Sequence, residues 1–583
     1  MRFRWSLMPS QPLLAGQLAQ RLKISPLLAQ CLLNRGLSEP RFIEGFLEPR
    51  LKQLADPFLL PNMATAVERL FIAHERREQI AIFGDYDVDG VTSTALLLEV
   101  LNQLGWKADY YLPHRMDEGY GLSEDSLENC LKKVPATLLL AVDCGSASVV
   151  PIRRMHEQGV DVIVLDHHQI SSPAPEAVAL VNPFLEEPLS KPEAGPTASG
   201  PRMFQELCSV GLAFKLAHAL VKRGRETGMA GAAEFDLRPL LDLVALGTIA
   251  DIVPLTGENR IFTSAGLQRL NSTCRPGLVA LKRVAQCPAI LGVHEVGFQL
   301  APRLNASGRL ESAEEALRLL LARGSAEAMS LAQKIDARNR DRQKIERAIS
   351  EDVIRTVRAK FKPDDDFVIV EGHAPWHIGV VGIVAARVLQ QFYRPTIIVG
   401  GDGQQWRGSG RSVAGFDLAA ALRNCNHLLV RHGGHAMAAG ITVEMGNLDA
   451  LRSHLNELAK NVLKLEELQP SLRLDAEVGL DEMTLECLEL LNKLRPMGQG
   501  NPAVNLVARN VTHQRPLQRI GAEKQHVKMW LTDGMRTHET LWWRAGEESL
   551  PVGRFDLAFV PEVNLYNGQS RVQLKMLDWR AAS

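Results

Sequence analysis

The chain has 583 residues, 46% hydrophobic and 23% charged, and 66 basic residues against 67 acidic ones leave a net charge of −1. That length exceeds one compact core and implies roughly three to four domains, while the ordinary composition excludes a disordered chain. No apolar run reaches the ~20 residues that span a bilayer. The opening MRFRWSLMPSQP lacks the apolar stretch of a secretory leader. The eight cysteines contain no CxxC pair, which excludes a zinc ribbon and a disulfide framework and fits a reducing cytoplasm. With acids and bases balanced, any nucleic-acid track has to be local.

In chain order, residues 1–48 read as an N-terminal cap of short helices broken by prolines such as Pro26 and Pro40. From about residue 78 the pattern becomes apolar strand, glycine turn, helix. EQIAIFGDYDVDG runs into an acidic turn, and the helix TSTALLLEVLNQLG closes on Gly105. ADYYLP, TLLLAVDCG and VDVIVLDHH continue the alternation, which predicts a parallel α/β sheet within residues 49–310. LRPLLDLVALGTIAD reads as a buried helix. Residues 311–360 are helix-rich, and the charged stretch from Ala332 to Lys360 predicts one long exposed connecting helix. A second α/β pattern fills 361–455, with glycine-rich turns expected at 408–415 and 433–440. Short alternating strands over 465–583 predict a small β-barrel.

Asp85, Asp87 and Asp89 in DYDVDG directly follow an apolar strand. Alternation predicts their carboxylates on one side of an extended segment, with Gly90 turning the chain into a helix. Carboxylates this close repel one another unless a cation sits among them, and an all-oxygen set suits Mg²⁺ or Mn²⁺. An exposed acidic turn is the plainer reading. A calcium loop is excluded, because no glutamate stands at its twelfth position. Asp143 in AVDCG and Asp166, His167 and His168 in VLDHH end two further predicted strands, the edge where open α/β sheets bind ligands. Asp143 alone equally suits a helix cap. Asp251 ends the apolar GTIAD helix and needs a partner there. Clusters converging from several strands predict a two-metal phosphodiester-hydrolysing centre, whose cations stabilise the phosphoryl oxygens during in-line attack. No G-x-S-x-G and no G-x-x-x-x-G-K-[ST] competes with it.

DYDVDG, AVDCG, VLDHH and GTIAD, in that order, resemble the four motifs of the DHH phosphoesterase superfamily. RMDEGYGL, CSVGLAFKL, APRLNASGR, WHIGVVGIVAARV, RGSGRS, GGHAMAAG and RPMGQGNP narrow the resemblance to its bacterial single-strand DNA exonucleases. The resemblance implies a DHH domain, a long helix, a DHH-associated domain and a C-terminal OB-fold. It further implies Asp85, Asp87, Asp89, Asp143, His167 and Asp251 as ligands of two Mn²⁺ or Mg²⁺ ions, with Asp87, Asp143, His167 and His168 catalytic and His168 facing the scissile phosphate. The implied activity is 5′-to-3′ hydrolysis of single-stranded DNA to mononucleotides in repair and recombination, by a cytoplasmic monomer fed by a single-strand-binding protein and a helicase. One departure is His114, where asparagine is the commoner residue, beside Arg115 and Tyr120, which the resemblance assigns to substrate.

WRGSGRS offers guanidinium and backbone amides to a phosphate, or is a surface turn. GGHAMAAG reads as a close-approach glycine turn carrying His435, or as a turn capping a helix. In the family both segments belong to the domain that closes over the active site, so Ser409, Arg411 and His435 are candidates for gripping a terminal 5′ phosphate, with Arg303 and Arg309 reaching in from the connecting region. A narrow passage between the lobes would admit one strand only. His377 suits a phosphate contact or a helix cap, and Trp376 suits packing. Lys524, His526, Lys528, Trp542, Trp543 and Tyr566 suit a single-strand platform, with at most one of the adjacent tryptophans facing DNA. Two other classes compete: a relative hydrolysing small phosphates, which needs no terminal barrel, and an inactive replication scaffold, which would have lost ligand residues.

Overall fold

The computed structural model describes residues 3–114, 117–119, 121–185, 204–401, 403–545, 548–566 and 568–582. The chain divides into two compact units, one made of Gly45–Arg342 with Arg495–Pro502, the other of Met1–Glu44, Gln343–Leu494 and Ala503–Ser583. The N-terminal cap was expected to be helical throughout; it opens instead with a strand, β1 (Arg4–Leu7), before its helices.

The first unit is built on five parallel strands: β2 (Gln79–Gly84), β3 (Lys107–Tyr111), β4 (Leu138–Val142), β5 (Asp161–Leu165) and β6 (Ala179–Val181), in the order β3-β2-β4-β5-β6. Their near-continuous apolar runs have one cause: both faces are covered. Ile80, Ile82, Leu138 and Leu140 pack into one core. Ala81, Phe83, Leu139 and Ala141 pack into the other. The order reverses between β2 and β4, so their C-terminal ends open a crevice at a topological switch point.

Helix Ser209–Thr227 is tied to this unit by a fully buried cation. Lys215 Nζ donates to Glu258 Oε1 at 2.7 Å and to the Ala55 carbonyl at 2.9 Å, and the same carboxylate oxygen accepts from Ala55 N–H. The 36-residue helix Ser325–Lys360 is the connecting element the sequence predicts. It is not the exposed rod expected there, because Ile335, Ile349, Val353 and Val357 are buried along it.

In the second unit β7 (Ile369–His373), β8 (Thr396–Gly400), β9 (Gln405–Arg411), β10 (Leu429–His435) and β11 (Ala438–Glu444) form a mixed sheet ordered β10-β11-β9-β8-β7. The two glycine-rich segments expected as turns are part strand and part turn: residues 408–411 end β9 before a turn at 414–415, and 433–440 spans the β10–β11 hairpin with its turn at 436–437. β12 (Ser471–Leu474) receives β1 in parallel register. β13 (Ala476–Glu477), β14 (Leu506–Ile520), β15 (His526–Thr532), β16 (Thr537–Trp542), β17 (Phe555–Tyr566) and β18 (Gln569–Ala581) follow. A β14–β17 pairing closes β14-β15-β16-β18-β17 into a five-stranded barrel.

Lys215→Ala strands Glu258 as a buried unpaired charge and is expected to cost about 3–5 kcal/mol, whereas replacing both partners by Met is expected to cost far less. Urea unfolding of the two variants checks this.

Candidate metal centre

The centre forms where β2, β4 and β5 end. Asp85, almost fully buried, follows β2. The chain then enters helix Val88–Gln103 sooner than strand alternation predicts. Asp87 is its N-cap, accepting from Gly90 N–H at 3.1 Å, and Asp89 lies inside its first turn. The carboxylates therefore converge through a helix turn and not along an extended segment. Gly90 permits this by close approach: a Cβ there would meet the Asp85 carbonyl oxygen at 2.5 Å.

Asp89 accepts from the backbone N–H groups of Ser209 at 2.7 Å and Val210 at 2.9 Å, which open helix Ser209–Thr227. The Ser209 hydroxyl donates to Asp143 Oδ1 at 2.9 Å. Asp143 holds a left-handed backbone (φ 65°) directly after β4, and the next helix is preceded by Ser148, so Asp143 is not its cap. Strain of this kind in a non-glycine residue marks functional sites. Asp251 ends helix Leu241–Ala250. Gly247 lets that helix approach, because a Cβ there would lie 2.4 Å from Thr92 Oγ1 and 3.1 Å from Asp89 Oδ1.

His167 faces all of these. Its Nε2 lies 3.4 Å from Asp143 Oδ1, 3.6 Å from Asp251 Oδ2 and 3.8 Å from Asp89 Oδ2, and it is buried without a hydrogen-bond partner among the described residues. Burial and the neighbouring His168 push its pKa down to about 4, so the ring is neutral at pH 7. The carboxylates move the other way. Burial, then Asp87, lifts Asp89 to about 7; burial, then Asp89 and Asp87, lifts Asp251 to about 9; burial, then Asp89, raises Asp143 well above the carboxylate range. Metal-capable groupings recur among these residues, including Asp85–Asp87–Asp143, Asp143–His167–His168 and Asp89–Cys208–Asp251. A buried, partnerless imidazole nitrogen aimed at mutually repelling carboxylates fits divalent cations ligated by oxygen and nitrogen.

His168 behaves differently. Burial opposes its charge, but a 2.7 Å hydrogen bond to Asp166 and that carboxylate's charge push its pKa up to about 9. Asp166 also accepts from Ser146 N–H at 3.0 Å, so it orients His168, and Asn182 holds the His168 carbonyl at 2.9 Å. Ser146, Asn182, Ser209 and Gly247 were not singled out from sequence, although CSVGLAFKL and GTIAD contain two of them. Asn305 is another: its Oδ1 accepts from Val88 N–H at 3.1 Å, while Gly308 of the same APRLNASGR motif abuts the Tyr86 carbonyl.

The other candidates divide. Arg303 donates to Asp336 at 2.9 Å and to the Gln299 carbonyl at 2.7 Å, and half-buried Arg309 closes the same helix, Ala301–Leu310. Arg115 and Tyr120 lie outside the described residues. His114 is bound to Asp117 at 2.7 Å. In the second unit Arg411 Nη1 donates to Ser409 Oγ at 2.8 Å on one face of β9, beside Gly382 of helix Val381–Phe392. Arg411 is in register with Ala438, and Ala438 with His435, so the three candidates share neighbouring strands. His435 accepts from Met437 N–H at 3.3 Å within the hairpin, and no helix is capped by it. His377 Nδ1 accepts from Gly379 N–H at 3.1 Å, and Trp376 is buried, as expected of a packing residue. On the barrel, Arg515 stacks over Trp530, a ring the sequence reading passed over, and Lys528 lies over the same ring while paired with Glu539. Trp543 follows the end of β16 and packs on His526, so the alternate-face argument for Trp542 and Trp543 does not apply. Tyr566's side chain lies outside the described residues.

A switch-point crevice ringed by aspartates and a buried histidine defines a DHH-type phosphoesterase, and residues 79–248 match the DHH family, N-terminal domain. Residues 365–461 match the DHHA1 domain and 474–578 the RecJ OB domain. The chain is 36% identical to the single-stranded-DNA-specific exonuclease RecJ of Bacillus subtilis, over 99% of this chain and 71% of that protein. It is 33% identical to the Escherichia coli RecJ over 95% of each. The crystal structure of Thermus thermophilus RecJ in complex with Mn²⁺ superposes with a TM-score of 0.83 at 28% identity, covering 100% of this chain and 80% of that one. The chain belongs to the RecJ family.

Asp143→Ala is expected to abolish hydrolysis and to leave thermal stability in chelator equal or higher, because it removes one of several mutually repelling buried carboxylates. An exonuclease assay paired with thermal unfolding in EDTA checks both halves.

Proposed function

We infer that the chain is a metal-dependent exonuclease specific for single-stranded DNA. The observation that carries this reading is the buried aspartate–histidine cluster at the switch point, in a chain matching RecJ proteins along nearly its whole length. Asp85, Asp87, Asp89, Asp143, His167 and Asp251 would hold two Mn²⁺ or Mg²⁺ ions; relatives crystallised with either metal support the choice. Bound cations supply Lewis-acid stabilisation of the phosphoryl oxygens and activation of water. His168, charged at neutral pH and oriented by Asp166, would offer positive charge to the scissile phosphate. Asp87, Asp143, His167 and His168 are the residues on which turnover is expected to depend most.

Ser409, Arg411 and His435 would grip the terminal phosphate, which gives 5′-to-3′ polarity and release of mononucleotides. Arg309, Arg115 and Tyr120 would assist, and a contact by Arg303 competes with its Asp336 ion pair. The barrel's Arg515, Trp530 and Lys528 add a stacking and cationic surface suited to unpaired bases. The same reading places the protein in the cytoplasm, as a monomer working in DNA repair and recombination with a single-strand-binding protein and a helicase. Among the described residues no helix is long and apolar enough to cross a membrane. Hydrolysis of small phosphates and an inactive scaffold are both disfavoured, since the terminal barrel is present and every ligand position is filled.

With 5′-labelled oligonucleotides, Mn²⁺ or Mg²⁺ should release labelled mononucleotide from single strands only, and EDTA should abolish it. Release of 3′ label first, or equal attack on duplex, would overturn the assignment. Arg411→Ala should raise KM for single-stranded DNA about tenfold while leaving Mn²⁺ affinity intact, in keeping with loss of a charge-assisted contact of ~1.5–3 kcal/mol.

A further inference from the structure

The loop leaving Asp251 is held by residues from far along the chain. Ile252 takes a left-handed backbone (φ 62°) directly after the helix, and the loop continues to Thr256. Side-chain and backbone bonds fix it: Asn259 Nδ2 donates to the Pro254 carbonyl at 3.0 Å, the Thr256 hydroxyl donates to the Glu206 carboxylate, and Leu255 N–H donates to the Gln499 carbonyl at 2.7 Å. Gln499 belongs to Arg495–Pro502, the RPMGQGNP motif, which lies within the 465–583 span of the barrel in sequence. It packs in the catalytic unit.

This segment is itself locked. Gly498 and Asn501 exchange backbone hydrogen bonds of 2.8 and 3.2 Å, and Asn501 Nδ2 donates to the Pro496 carbonyl at 2.8 Å. Arg260, almost completely buried, stacks on Phe46 and donates to the carbonyls of Phe46, Arg495 and Pro496 at 2.6, 2.8 and 3.2 Å. Gly500 (φ 71°) seats against the loop, where a Cβ would lie 2.9 Å from Pro254 Cβ, and one on Gly498 would lie 2.7 Å from Leu255 Cδ1. A buried arginine bonded to three backbone carbonyls and two glycines pressed on the neighbouring loop hold that loop in one position.

We propose that Arg495–Pro502 is a positioning strap that fixes the loop behind Asp251 and thereby sets the centre's affinity for its divalent cation. Gly498, Gly500 and Arg260 are then positioning residues for metal binding, none of them touching metal or DNA. The proposal rests on the reading of Asp251 as a ligand.

The test uses the full chain carrying Gly500→Ala or Arg260→Met. Free Mn²⁺ is titrated by electron paramagnetic resonance, alongside unfolding midpoints and KM for single-stranded DNA at saturating Mn²⁺. Both variants should bind Mn²⁺ about tenfold more weakly, the range for residues that orient ligands, with KM unchanged. If either fails to fold, Asn259→Ala, which removes the bonds to the Pro254 and Glu206 carbonyls, takes its place. Folded variants with wild-type Mn²⁺ affinity overturn the proposal, as does a raised KM with unchanged affinity. Asp251→Asn separates the two ideas: unaltered Mn²⁺ binding there refutes the ligand reading, whereas weakened binding there with intact binding in the strap variants refutes the strap alone.

Discussion

Mutual repulsion among buried carboxylates is the constraint around which the catalytic unit is built. Asp85, Asp89 and Asp143 are each at most 2% exposed, and burial together with neighbouring charge raises Asp89 and Asp143. Left to themselves such groups would take up protons or open the crevice. The fold opposes this with backbone donors at helix N-termini, where the macrodipole also favours negative charge. Asp87 caps one helix, and Asp89 receives two N–H groups from the start of another. The two N–H donors lower the Asp89 pKa without restoring it to the ordinary range, and the remaining imbalance is what a cation would neutralise.

Much of this was legible in the sequence because parallel strands buried on both faces leave short apolar runs, and an aspartate ending such a run stands out. Asp85, Asp143 and Asp166 were visible for that reason, and β2, β4 and β5 carry them to one edge. The path from Asp85 to Asp89 was misread because strand periodicity was extended past a helix start that the Asp87 cap and close-packed Gly90 dictate. Ser209 and Asn305 act through backbone-directed hydrogen bonds spanning more than a hundred positions, and no local pattern encodes such pairings.

The strand portions of the glycine-rich segments were hidden for a different reason. Glycine normally weakens a strand, yet Gly408 and Gly410 sit in the middle of β9 because Cβ atoms there would meet Val399 Cγ1 at 2.3 Å and Leu418 Cδ2 at 2.5 Å. Packing against β8 and the helix Leu418–Asn424 overrides propensity, and the cost in chain entropy brings Arg411 and Ser409 onto one face beside Gly382. The N-terminal strand was hidden likewise: Arg4–Leu7 has no amphipathic signal of its own and is defined by its partner, Ser471–Leu474.

The balanced net charge also acquires a physical account. Several of the most conspicuous cations are consumed internally: Lys215 by Glu258, Arg260 and Arg394 by main-chain carbonyls, Arg275 by Glu99 and Asp242. Buried arginines of this kind report on architecture and say nothing about nucleic acid, so counting Lys and Arg overstates the charge available for binding. The acids are similarly divided, with a compact group withdrawn from solvent at the crevice. The groups proposed to meet a polyanion are local: Arg411 on β9, His168 hydrogen-bonded to Asp166, and Arg515 over Trp530 on the barrel. A near-neutral total is therefore compatible with a nucleic-acid enzyme, because recognition depends on where accessible charge lies and not on its sum.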